Sequence, residues 1–265
     1  MDMTGTSPLR SRAALLALVA AAVLLVTGVA VVATMARGGP MQTDRKSDSF
    51  TGIRQVRVDV DSGDLDIEAT AGDATTVTGE LRWNTYQRPE FSMTRSGTTL
   101  TVNARGCGST AFRTCETRTA MTVPASVDLV LHSDSGDVVV AGVSGPVELD
   151  IDSGNGRLRD LSGPVTVTVD SGDISGTGLS SARARVEVDS GNVTLEFKSQ
   201  PSQVTLIGDS SDLTVLVPRE SGPYSVRAET DSGDTTVDVA KSIDSPNRIE
   251  ILNDSGNVTV GYLTS

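Results

Sequence analysis

Residues 147–173 read Val-Glu-Leu-Asp-Ile-Asp-Ser-Gly-Asn-Gly-Arg-Leu-Arg-Asp-Leu-Ser-Gly-Pro-Val-Thr-Val-Thr-Val-Asp-Ser-Gly-Asp, and the plan that begins at Val147 restarts at Val165. Val147, Leu149 and Ile151 fall over Val165, Val167 and Val169, whereas the intervening Glu148 and Asp150 fall over Thr166 and Thr168. Alternation with a period of two is the mark of a strand with one buried face. Val143, Leu161 and Leu179 make a further apolar column beside a second corner, Ser-Gly-Pro, at Ser144 and again at Ser162. Each repeat therefore holds two strands and two tight turns.

The first turn, Asp-Ser-Gly-Asp or a near variant, recurs at Asp61, Asp134, Asp152, Asp170, Asp189, Asp209, Asp231 and Asp254. From Asp134 onward the spacing between successive corners runs 18, 18, 19, 20, 22 and 23. A coil of this length cannot bury its apolar face alone, so neighbouring coils must stack. The expected fold is all-β: a single-stranded β-solenoid of 18–23-residue coils. A β-sandwich would also alternate strands and turns, but the regular columns and near-constant period favour the solenoid. The long interval between Asp61 and Asp134 lacks the motif, and it contains half of the aromatic side chains and both cysteines. This stretch is expected to add longer strands or to cover one end of the stack, where an open edge invites aggregation.

Ahead of the repeats, residues 13–36 form an unbroken apolar run without a single charge. As a helix it would be about 36 Å long, enough to cross a ~30 Å hydrocarbon layer. Arg10 and Arg12 precede the run, which favours a cytoplasmic amino terminus and an external body. A cleaved signal peptide has a shorter apolar core, of about 7–15 residues, and a small-residue cleavage site; Thr34-Met35-Ala36 is a poor one. The division expected is a cytoplasmic tail over 1–12, a transmembrane signal-anchor helix over 13–36, a flexible linker over 37–49 and an extracytoplasmic β-solenoid over 50–265, held at the cell membrane by a single pass.

Composition narrows the chemistry. The net charge of −12 lacks the cationic surface that phosphate backbones require, which argues against nucleic acid. Without residues 1–36, 20 basic and 33 acidic residues remain, so the acidity belongs to the repeats. The single histidine, His132, sits at the solvent-facing phase of its strand and leaves little scope for a histidine metal or acid-base site. No Gly-x-Ser-x-Gly elbow accompanies it.

Stacked aspartates could bind Ca²⁺, as hard cations gather several oxygens. They also suit a tight turn with no ion, because Asp and Asn bond their own backbone and Gly takes positive φ without steric cost. Two carboxylates at a ~4.8 Å strand spacing repel by about 0.9 kcal/mol in water. The fourth motif position reads Asp137, Asn155, Asp173, Asn192, Asp212, Asp234, Asn257, so neutral Asn interrupts nearly every pair of charges. That pattern relieves a turn column and argues for structural corners; no metal or cofactor is expected. Cys107 and Cys115, eight positions apart in an exported chain, read as a loop-closing disulfide; a reactive or metal-binding thiol pair is the alternative, though Cys-x-x-Cys is absent.

The segment Val123-Pro124-Ala125-Ser126-Val127-Asp128-Leu129, the Ser-Gly-Asp corners that follow and the second Val-Pro at Val217-Pro218 resemble the DUF4097 β-strand repeat family, also labelled adhesin-like. The resemblance covers residues 50–265 and implies an exported, membrane-anchored β-solenoid of bacterial envelopes, with no catalytic residue to carry over. The function expected is a non-catalytic surface binding, sensing or adhesin-like module. Its partners are the membrane through the single-pass anchor and cationic peptides or other envelope components. The alternative is a carbohydrate-active β-helix enzyme with paired carboxylates in a groove.

Overall fold

From residue 128 onward successive strands alternate between two sheets, because each Asp-Ser-Gly-Asp corner or its variant turns the chain from one sheet into the other. The computed structural model describes residues 40–84, 87–107 and 114–264. Among these the fold is all-β, with an 11-stranded and a 10-stranded sheet, mostly parallel. Residues 13–36 lie outside the described set, and no helix within it is long and apolar enough to cross a membrane.

The regular coils are β8–β9 (Asp128–Ser135, Val138–Ala141), β10–β11 (Val147–Ser153, Gly156–Arg159), β12–β13 (Val165–Ser171, Ile174–Leu179), β14–β15 (Arg183–Ser190, Val193–Phe197) and β16–β17 (Gln203–Ser210, Leu213–Val217). The predicted columns hold: Val147, Leu149 and Ile151 pair in parallel with Val165, Val167 and Val169. Their burial alternates as the sequence requires, apolar inward and Glu148, Asp150, Thr166 and Thr168 outward. Val143, Leu161 and Leu179 are fully buried beside the second corner. The inward faces of the two sheets form one aliphatic core.

Sequence order and stacking order part at both ends. The coil β2–β3 (Gln55–Val60, Leu65–Thr70) sits between β8–β9 and an outer coil that comes later in the chain, β6–β7 (Thr99–Arg105, Cys115–Pro124). Beyond that coil, β4 (Ala74–Trp83) and β1 (Gln42–Thr51) extend one sheet antiparallel, and β5 (Glu90–Ser96) extends the other. The motif-free stretch thus both lengthens the sheets and caps the stack. Residues 42–49, expected in a flexible linker, instead form most of β1, paired residue by residue with β4.

At the far end the last coil, β20–β21 (Arg248–Ser255, Val258–Tyr262), slots between β16–β17 and β18–β19 (Ser225–Ser232, Thr235–Val237). Consecutive stacking of the Asp209, Asp231 and Asp254 coils is therefore corrected to the order Asp209, Asp254, Asp231. The two longest intervals after Asp134, which end at Asp231 and Asp254, supply the chain that passes beyond one coil position and returns.

The order is written into the core at the one motif that departs from pattern. Where the other corners carry Gly, Ser211 is buried, and its hydroxyl lies 3.1 Å from Asn253 Oδ1 on β20. The Asn253 amide donates back to the Ser211 carbonyl at 2.7 Å and to the Ser255 carbonyl at 3.0 Å. Gly208 leaves the necessary room, since a Cβ there would stand 2.1 Å from Ser211 Oγ. A buried amide finds its partners only if the last coil lies against β16.

Candidate functional site

The corners between the two sheets stack into the most distinctive surface of the molecule. Gly154 shows why the third corner position is glycine: its φ is +144°, and a Cβ would fall 2.1 Å from the Gly136 carbonyl oxygen of the coil beneath. Neither the conformation nor the approach tolerates a side chain.

The fourth corner position becomes clear only in stacking order. Inserting Asn257 between Asp212 and Asp234 turns the sequence-order series into unbroken alternation: Asp137, Asn155, Asp173, Asn192, Asp212, Asn257, Asp234. The Asn155 backbone N–H and side-chain amide both donate to Asp137 Oδ1, at 3.2 and 3.0 Å. Asn192 does the same to Asp173, and Asn257 to Asp212. The Asn155 and Asn257 side-chain oxygens accept in turn from the backbone N–H groups of Asp173 and Asp234, each at 3.1 Å. Every carboxylate of this series thus has a neutral neighbour in the column.

The alternation fails once, where Asp64 and Asp137 belong to adjacent coils, and there guanidinium groups stand in: Arg118 bonds Asp64 at 2.8 Å and Arg157 bonds Asp137 at 2.7 Å. The Arg157 hydrogen bond, against some burial and with help from Asn155, holds the Asp137 carboxyl below its ordinary value.

The first corner positions form a second row. In stacking order it runs Asp61, Asp134, Asp152, Asp170, Asp189, Asp209, Asp254, Asp231, the first two half-buried and the rest exposed. Eight carboxylates at a ~4.8 Å spacing make a line of about 34 Å. Burial, moderated by Arg105 and reinforced by Asp134 and Asp59, raises the Asp61 carboxyl above its usual range. His132 lies on β8 at the outward phase expected, bridging coils: Nε2 is 2.9 Å from Asp134 and Nδ1 is 3.2 Å from Asp150. Among the described residues no group of three or more His, Cys, Asp or Glu is arranged to hold a metal.

Cys107 and Cys115 are joined as a disulfide with a Cα separation of 5.3 Å. It closes the β6–β7 corner, which occupies the place in the turn column next to Ser62 and Asp64: the Thr117 and Thr119 N–H groups donate to the Ser62 and Asp64 carbonyls. The bridge replaces the Asp-Ser-Gly-Asp turn at the capped end.

Carboxylates do meet in one small cleft of about 190 Å³ containing Asp64, Glu80 and Glu116. Each is matched to an arginine, Arg118, Arg45 and Arg82 respectively. A second cleft, of about 620 Å³, is bounded by Lys46, Arg88, Glu90, Phe91, Asn103 and Arg105 at the capped end. The sequence reading missed it because β1, β5 and β6 are brought together only by the antiparallel cap.

Stacked two-strand coils around an aliphatic core, with a continuous column of corners, define an all-β, solenoid-like repeat protein. The chain belongs to the Toastrack DUF4097 family, whose sequence profile matches residues 53–264. The crystal structure of a candidate adhesin from Bacteroides fragilis is similar at 9% identity over 84% of this chain and 97% of its own, with a TM-score of 0.42. A candidate cell adhesion protein from Clostridium sporogenes gives 11% identity, 84% and 100% coverage and 0.37. A candidate lipid-binding protein from Parabacteroides distasonis gives 10%, 86% and 98%, and 0.28. No curated protein matches the chain.

Proposed function

We propose that this protein is a non-catalytic, adhesin-like module of the cell envelope. Residues 13–36 anchor it by one transmembrane helix, and the single-stranded solenoid stands outside the membrane with its aspartate row facing cationic partners. The observation that carries this reading is the line of eight in-register aspartates, six of them exposed. Unit charges closer than about 7 Å interact in water by more than thermal energy, and this row is spaced at ~4.8 Å. Such a line concentrates counterions, and a polycation laid along it gains by releasing them, much as cationic proteins do on nucleic acid. Basic peptides and other cationic envelope components have the matching chemistry.

The full chain in vesicles is tested against oligolysine and against envelope components across a salt series. Capture should weaken steadily with salt and vanish near 1 M, where the Debye length is about 3 Å. The triple variant Asp152→Asn, Asp170→Asn, Asp189→Asn should bind more weakly with a shallower salt dependence. Capture that persists unchanged at ~1 M salt would overturn the electrostatic reading.

A further inference from the structure

The acidity is unevenly placed. Residues 125–265 hold 9 basic and 22 acidic side chains, whereas residues 40–124, which include the cap, hold 10 and 11. Within the cap, the 620 Å³ cleft gathers Lys46, Arg88 and Arg105 against a single carboxylate in its lining, Glu90. Arg88 is committed elsewhere, to an ion pair with Asp44 and to the face of Trp83 at 5.3 Å. Lys46 and Arg105 enter no ion pair among the described residues. The Lys46 ammonium donates to the Phe91 carbonyl at 2.7 Å, which holds it across the gap between β1 and β5, the outermost strands of the two sheets. Phe91 plugs the core below, against Gly79. Arg105 stands opposite Glu90 in the β5–β6 register, between the cleft and Asp61 at the start of the aspartate row.

On the transmembrane reading of residues 13–36, this cleft lies at the membrane end. From Ala36, the last residue of the apolar run, to Gln42 at the start of β1 there are six peptide steps, a reach of at most about 20 Å. Asp44, which holds Arg88, lies two positions into that strand, and Lys46 lies four. The far end of the stack, β18–β19, is the whole length of the sheets away.

We propose that the Lys46–Arg105 cleft docks the headgroups of anionic lipids in the same bilayer that anchors the chain, seating the cap on the membrane and pointing the aspartate row away from it. Like charges then separate: the near-neutral cap meets the anionic surface and the strongly acidic coils are carried outward, which lowers their repulsion from it. The proposal rests on the transmembrane reading of residues 13–36, and its test separates the two.

The full chain is reconstituted in vesicles of phosphatidylcholine alone and of phosphatidylcholine mixed with phosphatidylglycerol, and amide hydrogen exchange is followed in β5 together with flotation. Exchange in β5 should be slower in the mixed vesicles by on the order of ten-fold, the effect expected of two basic side chains at an anionic surface. Lys46→Gln with Arg105→Gln should abolish the difference, while flotation in both vesicles stays unchanged. Equal β5 exchange in the two compositions, with the protein floating in both, overturns headgroup docking and leaves the anchor standing. Loss of the protein from phosphatidylcholine vesicles overturns the anchor instead. Protection of β5 by inorganic phosphate in phosphatidylcholine vesicles would make the occupant a soluble anion and overturn the lipid assignment.

Discussion

Single residues carry the electrostatics of the stack, and His132 is the one that responds near neutral pH. Burial works to lower its pKa, but Asp150 and Asp134, the hydrogen bond to Asp150 and the nearby Asp152 together raise it above the ordinary value. Asp59 faces it from β2 in the same register row, and Asp61, in turn influenced by His132, lies one corner away. A group whose folded pKa is raised stabilises the fold fully below its unfolded pKa, and that contribution fades as pH rises through the folded value. Wild type should therefore lose stability relative to His132→Gln as pH rises between about 6 and 8. Thermal unfolding of both proteins across that range checks it; a pH-independent difference would show that His132 is not charged between its two carboxylates. Asp137 has the opposite sign. Its lowered pKa contributes stability above the ordinary carboxylate value, lost as acid titrates through the folded one.

At the scale of elements, the corner between β6 and β7 is the only one closed by a covalent bond among the described residues. The disulfide joins cysteines with a sequence separation of 8, which the chain-entropy model converts into about 2–3 kcal/mol. Reduction should lower the melting temperature accordingly and raise exchange first in β5 to β7. Thiol alkylation of unreduced protein should label neither cysteine, and labelling of both would refute the bridge. This element shows what sequence can and cannot supply. The close cysteine spacing and exported context indicated the bond, but nothing local to Cys107 indicated that its loop continues the turn column of the aspartate corners. That follows from β6 and β7 lying outside β2 and β3, a pairing of segments distant in sequence that sets Val56 beside Leu100 and Leu65 beside Thr119.

At the scale of the whole molecule, the final coil is inserted inside the stack, where it supplies β21, the strand that both β17 and β19 pair with. Asn253 is its buried anchor, so Asn253→Ala leaves the Ser211 hydroxyl and two carbonyl groups without that amide. An unsatisfied buried polar group costs about 1–3 kcal/mol. Urea unfolding of this variant should show a loss in that range; a change under ~0.5 kcal/mol, typical of surface positions, would mean that the interlock does not hold the coil.

The sequence by itself determined the coil: a period of two for the strands, glycine where φ is positive and backbones nearly touch, and columns of valine and leucine that bury only when stacked. These are local or nearest-neighbour requirements, so the spacing of one repeat from the next was enough to expose them. Tertiary structure alone decided which coils become neighbours at the two ends, because the same alternating strand satisfies either side of an open sheet until a specific buried group chooses. Ser211, the lone departure from the glycine corner, was visible as an exception and became intelligible only with Asn253 beside it. The same choice perfected the Asp–Asn ladder by interposing Asn257 between two like charges, while the antiparallel cap at the other end brought Lys46 and Arg105 to the rim of one cleft.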